Sequence, residues 1–344
     1  MKKIAFFDTK PYDRESFDRI NQNYEIRYFE SRLAPRTASL AMGCDGVCAF
    51  VNDDLGAETI DVLHRMGVRV LALRCAGFSN VDLRAAEGRL CVLRVPDYSP
   101  EGVAEHAMAL LLAVNRRLHR AYDRTRDFNF NISGLTGRVL SGKTAGVIGT
   151  GRIGRCFIRI CRGFGMRVLA HDPFPASDAD FEYVGFDRLL READVISLHC
   201  PLTPESRHLL DRDAFSRMKR DVFIINTSRG ALIDSQALLD ALNSGRVRGA
   251  GLDVYEEEAG YFYEDRSDAP IGDDVLALLT TRPNVLITSH QAFLTEEALT
   301  NIARTTLANL DAFFEGRTSE NMLHYQADPA PAAENCIKEK CPSH

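Results

Sequence analysis

The clearest chemical feature of the sequence is a turn that contains glycines at a fixed spacing, Gly149, Gly151 and Gly154. The turn stands between a short apolar run, 143–148, and a segment with apolar residues at helical spacing, 153–164. In such a turn the first glycine permits a tight bend, the second lets backbone approach a pyrophosphate, and the third lets helix and strand pack closely. The helix start offers free N–H groups and a positive dipole end to phosphates. The segment therefore predicts dinucleotide binding.

An acidic residue follows this turn at the distance expected for a ribose contact. A second apolar run, 167–170, leads to Asp172, about twenty residues after the glycines. A carboxylate there can accept hydrogen bonds from ribose hydroxyls and repels a 2′-phosphate, so the sequence predicts NAD rather than NADP. Arg152 and Ile153, which lie between the second and third glycines, are predicted to belong to the same cofactor site.

Three later segments carry side chains that could act on a substrate. A nicotinamide enzyme must exchange a proton at the substrate oxygen, and a guanidinium matches a carboxylate. Each segment follows an apolar run, and they supply Arg229, the acids 256–258 and His290. Singly, these residues also fit a surface ion pair, a solvated acidic face and a structural histidine. Their shared position after strands of one cofactor-binding sheet favours chemistry.

The alternation of apolar runs and helical segments predicts two parallel α/β units that position these residues. Strands are predicted at 4–7, 46–51, 70–73 and 91–95, with a helix over 57–66. After a proline-bounded break at 95–100, one long helix is predicted from Glu101 to about Thr125. Beyond the glycine unit, strands are predicted at 195–198, 222–225, 249–252 and 285–288, followed by a final helix at 295–314.

Composition limits the class of protein. The length of 344 residues favours two domains, and a net charge of −6 without a basic patch argues against nucleic acid or membrane partners. The opening residues 1–8 have too short an apolar run for a signal peptide and predict a strand. Nine scattered cysteines without metal-type spacing predict reduced thiols, no metal and a cytoplasmic protein.

Together these features resemble the D-isomer-specific 2-hydroxyacid dehydrogenases, and within that family the bacterial fermentative D-lactate dehydrogenases. The resemblance spans the chain to about residue 325. Besides the glycine turn, it rests on 50–54 (FVNDD), 73–78 (LRCAGF), 94–96 (RVP), 103–106 (VAEH), 194–203 (DVISLHCPLT), 226–234 (NTSRGALID), 251–255 (GLDVY) and 290–295 (HQAFLT).

The resemblance implies a role for each matching residue. His290 is the expected acid/base, Glu258 the carboxylate that holds its imidazole in the charged form, and Arg229 the substrate anchor. Further substrate contacts are expected from Ala76 and Gly77 through their backbone N–H groups and from the rings of Tyr98, Phe50 and Phe293. Cofactor contacts beyond the turn are expected from Cys200, Pro201, Ser206, Thr227 and Asp253.

The implied architecture is a Rossmann cofactor domain, 99–295, inserted into a smaller flavodoxin-like substrate domain made of 1–98 and 296–326. Residues 327–344 are predicted to be a disordered tail. The implied reaction is reduction of pyruvate to D-lactate with NADH, by a homodimer or homotetramer. Two alternatives stay open: a bulkier 2-keto acid, and an NAD-sensing corepressor that binds other proteins.

Overall fold

The computed structural model of the protein describes residues 1–325, so the predicted tail at 327–344 lies outside the described residues. The chain divides into two compact units: Met1–Pro96 together with the segment from Ile302 onward, and Asp97–Asn301. The predicted boundaries fall after residue 98 and before residue 296. The observed division therefore assigns residues 97, 98 and 296–301 to the larger unit.

The smaller unit begins with alternating strands and helices. Its strands are β1 (Lys2–Phe6), β2 (Tyr24–Tyr28), β3 (Gly46–Ala49), β4 (Val70–Leu73) and β5 (Cys91–Leu93). Its helices are α1 (Pro11–Ile20), α2 (Ala57–Arg65) and α3 (Leu83–Ala86), with a 3₁₀ turn at Ala38–Ala41. β3 and β4 are buried at every position, as expected for parallel strands covered on both faces.

The larger unit contains most of the remaining elements. Its helices are α4 (Pro100–Arg116), α5 (Leu118–Arg126), α6 (Arg152–Gly163), α7 (Phe186–Glu192), α8 (Arg212–Arg217), α9 (Ser235–Asn243) and α10 (Asp274–Thr281). Its strands are β6 (Thr144–Ile148), β7 (Arg167–His171), β8 (Glu182–Tyr183), β9 (Val195–Leu198), β10 (Val222–Asn226), β11 (Val247–Leu252) and β12 (Val285–Ile287), with a 3₁₀ turn at Gly230–Leu232. The chain continues through α11 (Glu296–Phe314), inside which the boundary at Ile302 falls, to β13 (Met322–Leu323) in the smaller unit.

Each sheet reverses its strand order at one point. The smaller sheet has the order β13-β5-β4-β3-β1-β2, and only the short β13 is antiparallel to its neighbour. The larger sheet is parallel throughout, with the order β12-β11-β10-β9-β6-β7-β8. The reversals lie between β1 and β3 and between β6 and β9, and such points are where doubly wound sheets bind ligands. The predicted fold class of two parallel-sheet α/β domains is confirmed.

The single long helix predicted from Glu101 to about Thr125 is wrong. Ser99 caps α4 by accepting a hydrogen bond from the Gly102 N–H at 3.1 Å, and Pro100 occupies the first turn. Arg117 then has φ of +50°, a left-handed conformation that ends α4 before α5 begins. None of the described helices is both long and apolar enough to cross a membrane.

Candidate active site

The glycine turn joins β6 to α6 and is fixed by close packing. Gly149 has φ of +90°, and a Cβ there would lie 2.6 Å from the Cys200 nitrogen. A Cβ on Gly154 would lie 2.0 Å from the Gly149 oxygen. At Gly151, in contrast, no described atom lies within 4 Å of the Cβ position. The outer two glycines are therefore required by the fold, and the middle one leaves its backbone open to an approaching group.

Asp172 follows β7 and is held by the same turn. Its Oδ2 accepts hydrogen bonds from the Thr150 N–H at 2.7 Å and hydroxyl at 2.9 Å, and its Oδ1 accepts from the Phe174 N–H at 2.9 Å. Burial alone raises the pKa of Asp172, but these hydrogen bonds outweigh it, so the net shift is downward. The carboxylate is thus kept ionised at the end of β7, beside the turn. Arg152, the first residue of α6, pairs with Asp97, and Ile153 packs partly against the core.

The segment after β9 forms the other side of the strand-order reversal. The Cys200 carbonyl accepts a hydrogen bond from the Ser228 hydroxyl at 2.6 Å, which ties this segment to the turn after β10. Ser206 donates to the Pro201 carbonyl at 2.8 Å and closes the loop that follows. Burial raises the pKa of the Cys200 thiol to about 11, so this cysteine is neutral rather than a reactive thiolate.

Two predicted cofactor residues lie at the ends of β10 and β11. Thr227 is buried, and its hydroxyl has no hydrogen-bond partner among the described residues. Asp253 is fully buried and accepts hydrogen bonds from the Gln291 N–H at 2.9 Å and the Ala292 N–H at 2.8 Å. The buried, unpartnered Thr227 hydroxyl and the open space at Gly151 fit a dinucleotide laid across this edge.

Asp253 is also the centre of a polar network that the sequence does not predict. His106, from α4, places its Nε2 3.1 Å from the Thr288 hydroxyl and 3.4 Å from Asp253 Oδ1. Thr288 in turn donates to the same carboxylate oxygen. Burial raises the pKa of Asp253, but the hydrogen bonds from His106, Thr288 and the two backbone N–H groups lower it overall. The network therefore fixes the backbone on both sides of His290 with an ionised carboxylate.

His290 is oriented by Glu258 from the turn after β11. His290 Nδ1 lies 2.8 Å from Glu258 Oε1, and Glu258 Oε2 accepts from the Tyr255 N–H at 3.0 Å. Glu256 instead contacts Arg207 at 2.8 Å and His208 at 2.6 Å. Of the three successive glutamates, the one that the resemblance selects is the one that contacts the histidine.

Tyr263 also contacts His290, and the sequence does not predict this contact. Its hydroxyl donates to the His290 carbonyl at 2.9 Å, and the two rings stack with centroids 6.1 Å apart. Both residues have positive φ, +65° for Tyr263 and +50° for His290. Non-glycine residues rarely adopt this conformation, so the contacts of His290 with Glu258, Tyr263 and Asp253 hold a specific ring position.

Arg229 lies after β10 with an open head group. Its backbone is extended, and its carbonyl accepts from Asn226 Nδ2 at 2.9 Å. Its side chain is exposed, and the hydrogen bond found for it among residues 1–325 is from Nη1 to the Ser228 carbonyl, at 2.7 Å. A Cβ on Gly230 would lie 2.0 Å from the Tyr255 carbonyl carbon, so the turns that carry Arg229 and Glu258 pack directly together.

The predicted substrate contacts divide between the units. In the larger unit, Tyr98 and Phe293 form an edge-to-face pair with ring centroids 6.2 Å apart. In the smaller unit, Phe50 follows β3 and is 7% exposed. Ala76 and Gly77 follow β4, and no described acceptor takes their N–H groups. Across the described residues, no group of three or more His, Cys, Asp or Glu is arranged to hold a metal ion.

A dinucleotide turn at a strand-order reversal and a fixed His–Glu pair define a dehydrogenase of the doubly wound class. The family model for the NAD-binding domain of the D-isomer specific 2-hydroxyacid dehydrogenases matches residues 108–292. Over 327 residues the chain is 53% identical to the D-lactate dehydrogenase of Escherichia coli (strain K12), covering 93% of this chain and 99% of that protein.

Solved structures agree with this assignment. The apo-structure of D-lactate dehydrogenase from Escherichia coli matches with a TM-score of 0.87 at 51% identity, covering 93% of this chain and 99% of that one. The pyruvate reductase of Chlamydomonas reinhardtii matches with a TM-score of 0.89 at 42% identity, covering 93% and 98%. The chain belongs to the D-isomer-specific 2-hydroxyacid dehydrogenases and is an NAD-dependent enzyme. The predicted family, enzyme class and cofactor are confirmed.

Proposed function

We propose that this enzyme reduces pyruvate to D-lactate with NADH and also catalyses the reverse reaction. The observation that carries the proposal is the contact of 2.8 Å between His290 and Glu258, on the sheet whose first turn binds the dinucleotide. The names of the similar proteins, D-lactate dehydrogenase and pyruvate reductase, support pyruvate as the keto acid.

His290 is the proton donor in this proposal. Its Nδ1 is engaged with Glu258, so Nε2 is the nitrogen that carries the proton to the substrate oxygen. Glu258 holds the imidazole through Nδ1 and so leaves Nε2 available to the substrate. When bound, NADH supplies the hydride. In the direction of lactate oxidation, the neutral imidazole takes the hydroxyl proton at the same atom.

Substrate binding combines one charge with several shape-determining groups. The exposed guanidinium of Arg229 binds the carboxylate, and the N–H groups of Ala76 and Gly77 add donors to it. The family resemblance assigns each of three rings, those of Phe50, Tyr98 and Phe293, to the methyl group of the substrate. Aromatic walls leave little room beyond a methyl, which favours pyruvate over longer keto acids.

The cofactor is held by the residues at the strand-order reversal. The pyrophosphate is bound by the glycine turn, Gly149, Gly151 and Gly154, and by the start of α6 with Arg152 and Ile153. Asp172 binds the ribose hydroxyls. The rest of the cofactor, toward the nicotinamide, contacts five further residues: Cys200, Pro201, Ser206, Thr227 and Asp253. Since Asp172 repels a 2′-phosphate, NADH is preferred over NADPH, and Asp172→Asn, which removes the charge and keeps one acceptor oxygen, relaxes that preference.

The test is loss of absorbance at the nicotinamide band with NADH and a panel of 2-keto acids, followed by chiral analysis of the product. The proposal predicts D-lactate from pyruvate as the most efficient reaction. Higher kcat/KM for a larger keto acid would instead identify a dehydrogenase for bulkier substrates. No turnover with any keto acid, despite NADH binding, would point to a corepressor-type binding protein.

We also propose that the enzyme is a homo-oligomer. The larger unit exposes a set of apolar side chains on and after α5: Leu118, Tyr122, Phe128, Phe130, Ile132 and Val139. A concentrated exposed apolar surface of this kind is typical of subunit contacts. Light scattering should give a mass above 38.3 kDa, and a double change of Phe130 and Ile132 to serine should lower it.

A further inference from the structure

Arg74 spans the strand-order reversal of the smaller unit. It follows β4, and its N–H donates to the Ala49 carbonyl at the end of β3 at 3.1 Å. Its Nη2 reaches past β3 to the Asp8 carbonyl, after β1, at 2.7 Å. Its Nε lies 3.2 Å from Asp13 Oδ1 on α1. Through its backbone and its side chain, this one residue thus connects three strand ends at the point where sheets of this kind bind ligands.

The guanidinium of Arg74 is sandwiched between two aromatic rings. Its central carbon lies 4.6 Å from the Phe6 ring centroid and 4.5 Å from the Phe50 ring centroid. Arg74 is only 2% exposed, so this cation–π contact is desolvated. Burial lowers the pKa of Arg74, but Asp13 and the other nearby acidic groups raise it by more. The net shift is upward, so the group stays charged.

The backbone of Phe50 is held separately from its ring. Its N–H donates to Asp53 Oδ2 at 2.6 Å, and its carbonyl accepts from Asn80 Nδ2 at 3.1 Å. With both backbone groups fixed, the position of the ring depends on its side-chain torsions. The flat face of Arg74 is one surface against which the ring packs.

We propose that Arg74 is a positioning residue for substrate selection, which sets the place of the Phe50 ring and thereby the size of the keto-acid side chain that is accepted. This inference rests on the proposed role of Phe50 as a wall of the substrate site. Arg74 is itself only 2% exposed, and its Nε and Nη2 are engaged by Asp13 and the Asp8 carbonyl. Its Nη1 has no hydrogen-bond partner among the described residues but is also buried, so we assign Arg74 to positioning and not to binding a substrate carboxylate.

The experiment compares kcat/KM for 2-ketobutyrate and pyruvate in the full-length enzyme. Arg74→Lys keeps the charge but loses the planar face. We expect the ratio of 2-ketobutyrate to pyruvate to rise about threefold to tenfold, within reach of one altered apolar contact. Phe50→Leu should raise the same ratio. In the double variant with Arg74→Lys, the ratio should be little higher than in Phe50→Leu alone, because both changes act through one ring.

The matched control is Arg14→Lys, which removes a planar guanidinium from a different ring of the same unit, that of Tyr28, whose centroid lies 4.6 Å away. It should leave the substrate ratio unchanged. If Arg74→Lys does not fold, Asp13→Asn takes its place, because it loosens the guanidinium and leaves both rings; the same upward shift is expected.

The outcomes separate the two proposals. A shifted ratio in Phe50→Leu with an unchanged ratio in Arg74→Lys or Asp13→Asn would overturn the inference and leave the proposed function intact. An unchanged ratio in Phe50→Leu would remove both residues from substrate selection. Absence of pyruvate turnover in the unaltered enzyme would instead overturn the proposed function.

Discussion

Two arginines occupy similar fold positions in the two units and have opposite surroundings. Arg74 follows a strand of the smaller sheet, is 2% exposed and is held by Asp13, the Asp8 carbonyl and two rings. Arg229 follows a strand of the larger sheet, is exposed and, within the described part of the chain, donates only to the adjacent Ser228 carbonyl. The chain thus neutralises one guanidinium with its own carboxylates and leaves the other open.

The difference shows how an arginine after a strand can be interpreted. Burying a guanidinium costs several kcal/mol unless carboxylates and hydrogen bonds compensate it, and a charge so compensated has little left for a ligand. Asp13 and the Asp8 carbonyl supply that compensation to Arg74. Arg229 is exposed and bears no such desolvation cost. We therefore expect changes near Arg74 to alter stability and selectivity, and changes near Arg229 to alter catalysis.

The largest effect is expected at the proton donor. His290→Ala removes the group that gives a proton to the substrate oxygen, so pyruvate turnover should fall about a hundredfold to ten-thousandfold. NADH binding, followed by fluorescence, should persist, because the dinucleotide turn is untouched. His208→Ala is the matched control, since it breaks the other histidine–glutamate contact, with Glu256 at 2.6 Å. A comparable loss of turnover in both variants would contradict a specific role for His290.

The next prediction concerns stability in the smaller unit. Burial raises the pKa of Asp53 to about 6, above its usual value of 3.8, although Arg74 and the N–H groups of Phe50 and Leu33 act in the opposite direction. An acid whose pKa is higher in the folded protein than in the unfolded chain stabilises the fold at pH values below its unfolded pKa. That stabilisation is lost as the pH rises through its folded pKa.

Urea unfolding of the unaltered enzyme and of Asp53→Asn measures this contribution. Relative to the variant, the unaltered enzyme should lose on the order of 3 kcal/mol of unfolding free energy between about pH 4 and pH 6, with little change above. A difference that is constant from pH 4 to pH 7 would show that Asp53 ionises normally in the fold.

Much of the architecture could be predicted because buried parallel strands and glycine turns have strong local signals. The strand at Val70–Leu73 and the one at Val195–Leu198 have the predicted bounds. Other elements had weaker signals. The two-residue strands β8 and β13 are too short to show a period. The edge strand β2 does alternate apolar and charged residues, with Tyr24, Ile26 and Tyr28 on one face, and this pattern could have predicted it. The break at Arg117 depends on one left-handed residue, for which arginine gives no sequence signal.

The site was predictable only where residues follow strands or match the family. His290 and Glu258 lie 32 positions apart, and their contact depends on how the turns after β11 and β12 pack. Tyr263 lies in an irregular segment with no periodic pattern, so nothing marked it as a partner of His290. His106 and Arg74 fall within matched motifs, but their partners, Asp253 and Asp13, are distant in sequence. Long-range polar contacts of this kind leave no local signature.

Arg229, the proposed substrate anchor, is the counterpart of Arg74 in the larger unit. Arg229→Lys keeps the charge but loses the two-pronged contact with a carboxylate, so the Michaelis constant for pyruvate should rise on the order of tenfold, and turnover should fall as well. The exposed Arg207, paired with Glu256, provides the control Arg207→Lys, which should change neither constant. A collapse of NADH binding in Arg229→Lys would instead assign Arg229 to the cofactor site.

The smallest effect is expected from the partner of His290. Glu258→Gln keeps an oxygen acceptor for Nδ1 of the imidazole but replaces a charge-assisted hydrogen bond by a weaker neutral one. The ring is then held less firmly, so pyruvate turnover should fall by about threefold, and NADH binding should not change. Glu256→Gln, which alters the neighbouring glutamate bound to Arg207 and His208, should leave turnover unchanged. If turnover were unchanged in both variants, the Glu258 carboxylate would not be what orients His290, and Asp253, whose carboxylate holds the flanking backbone, would be the next residue to change.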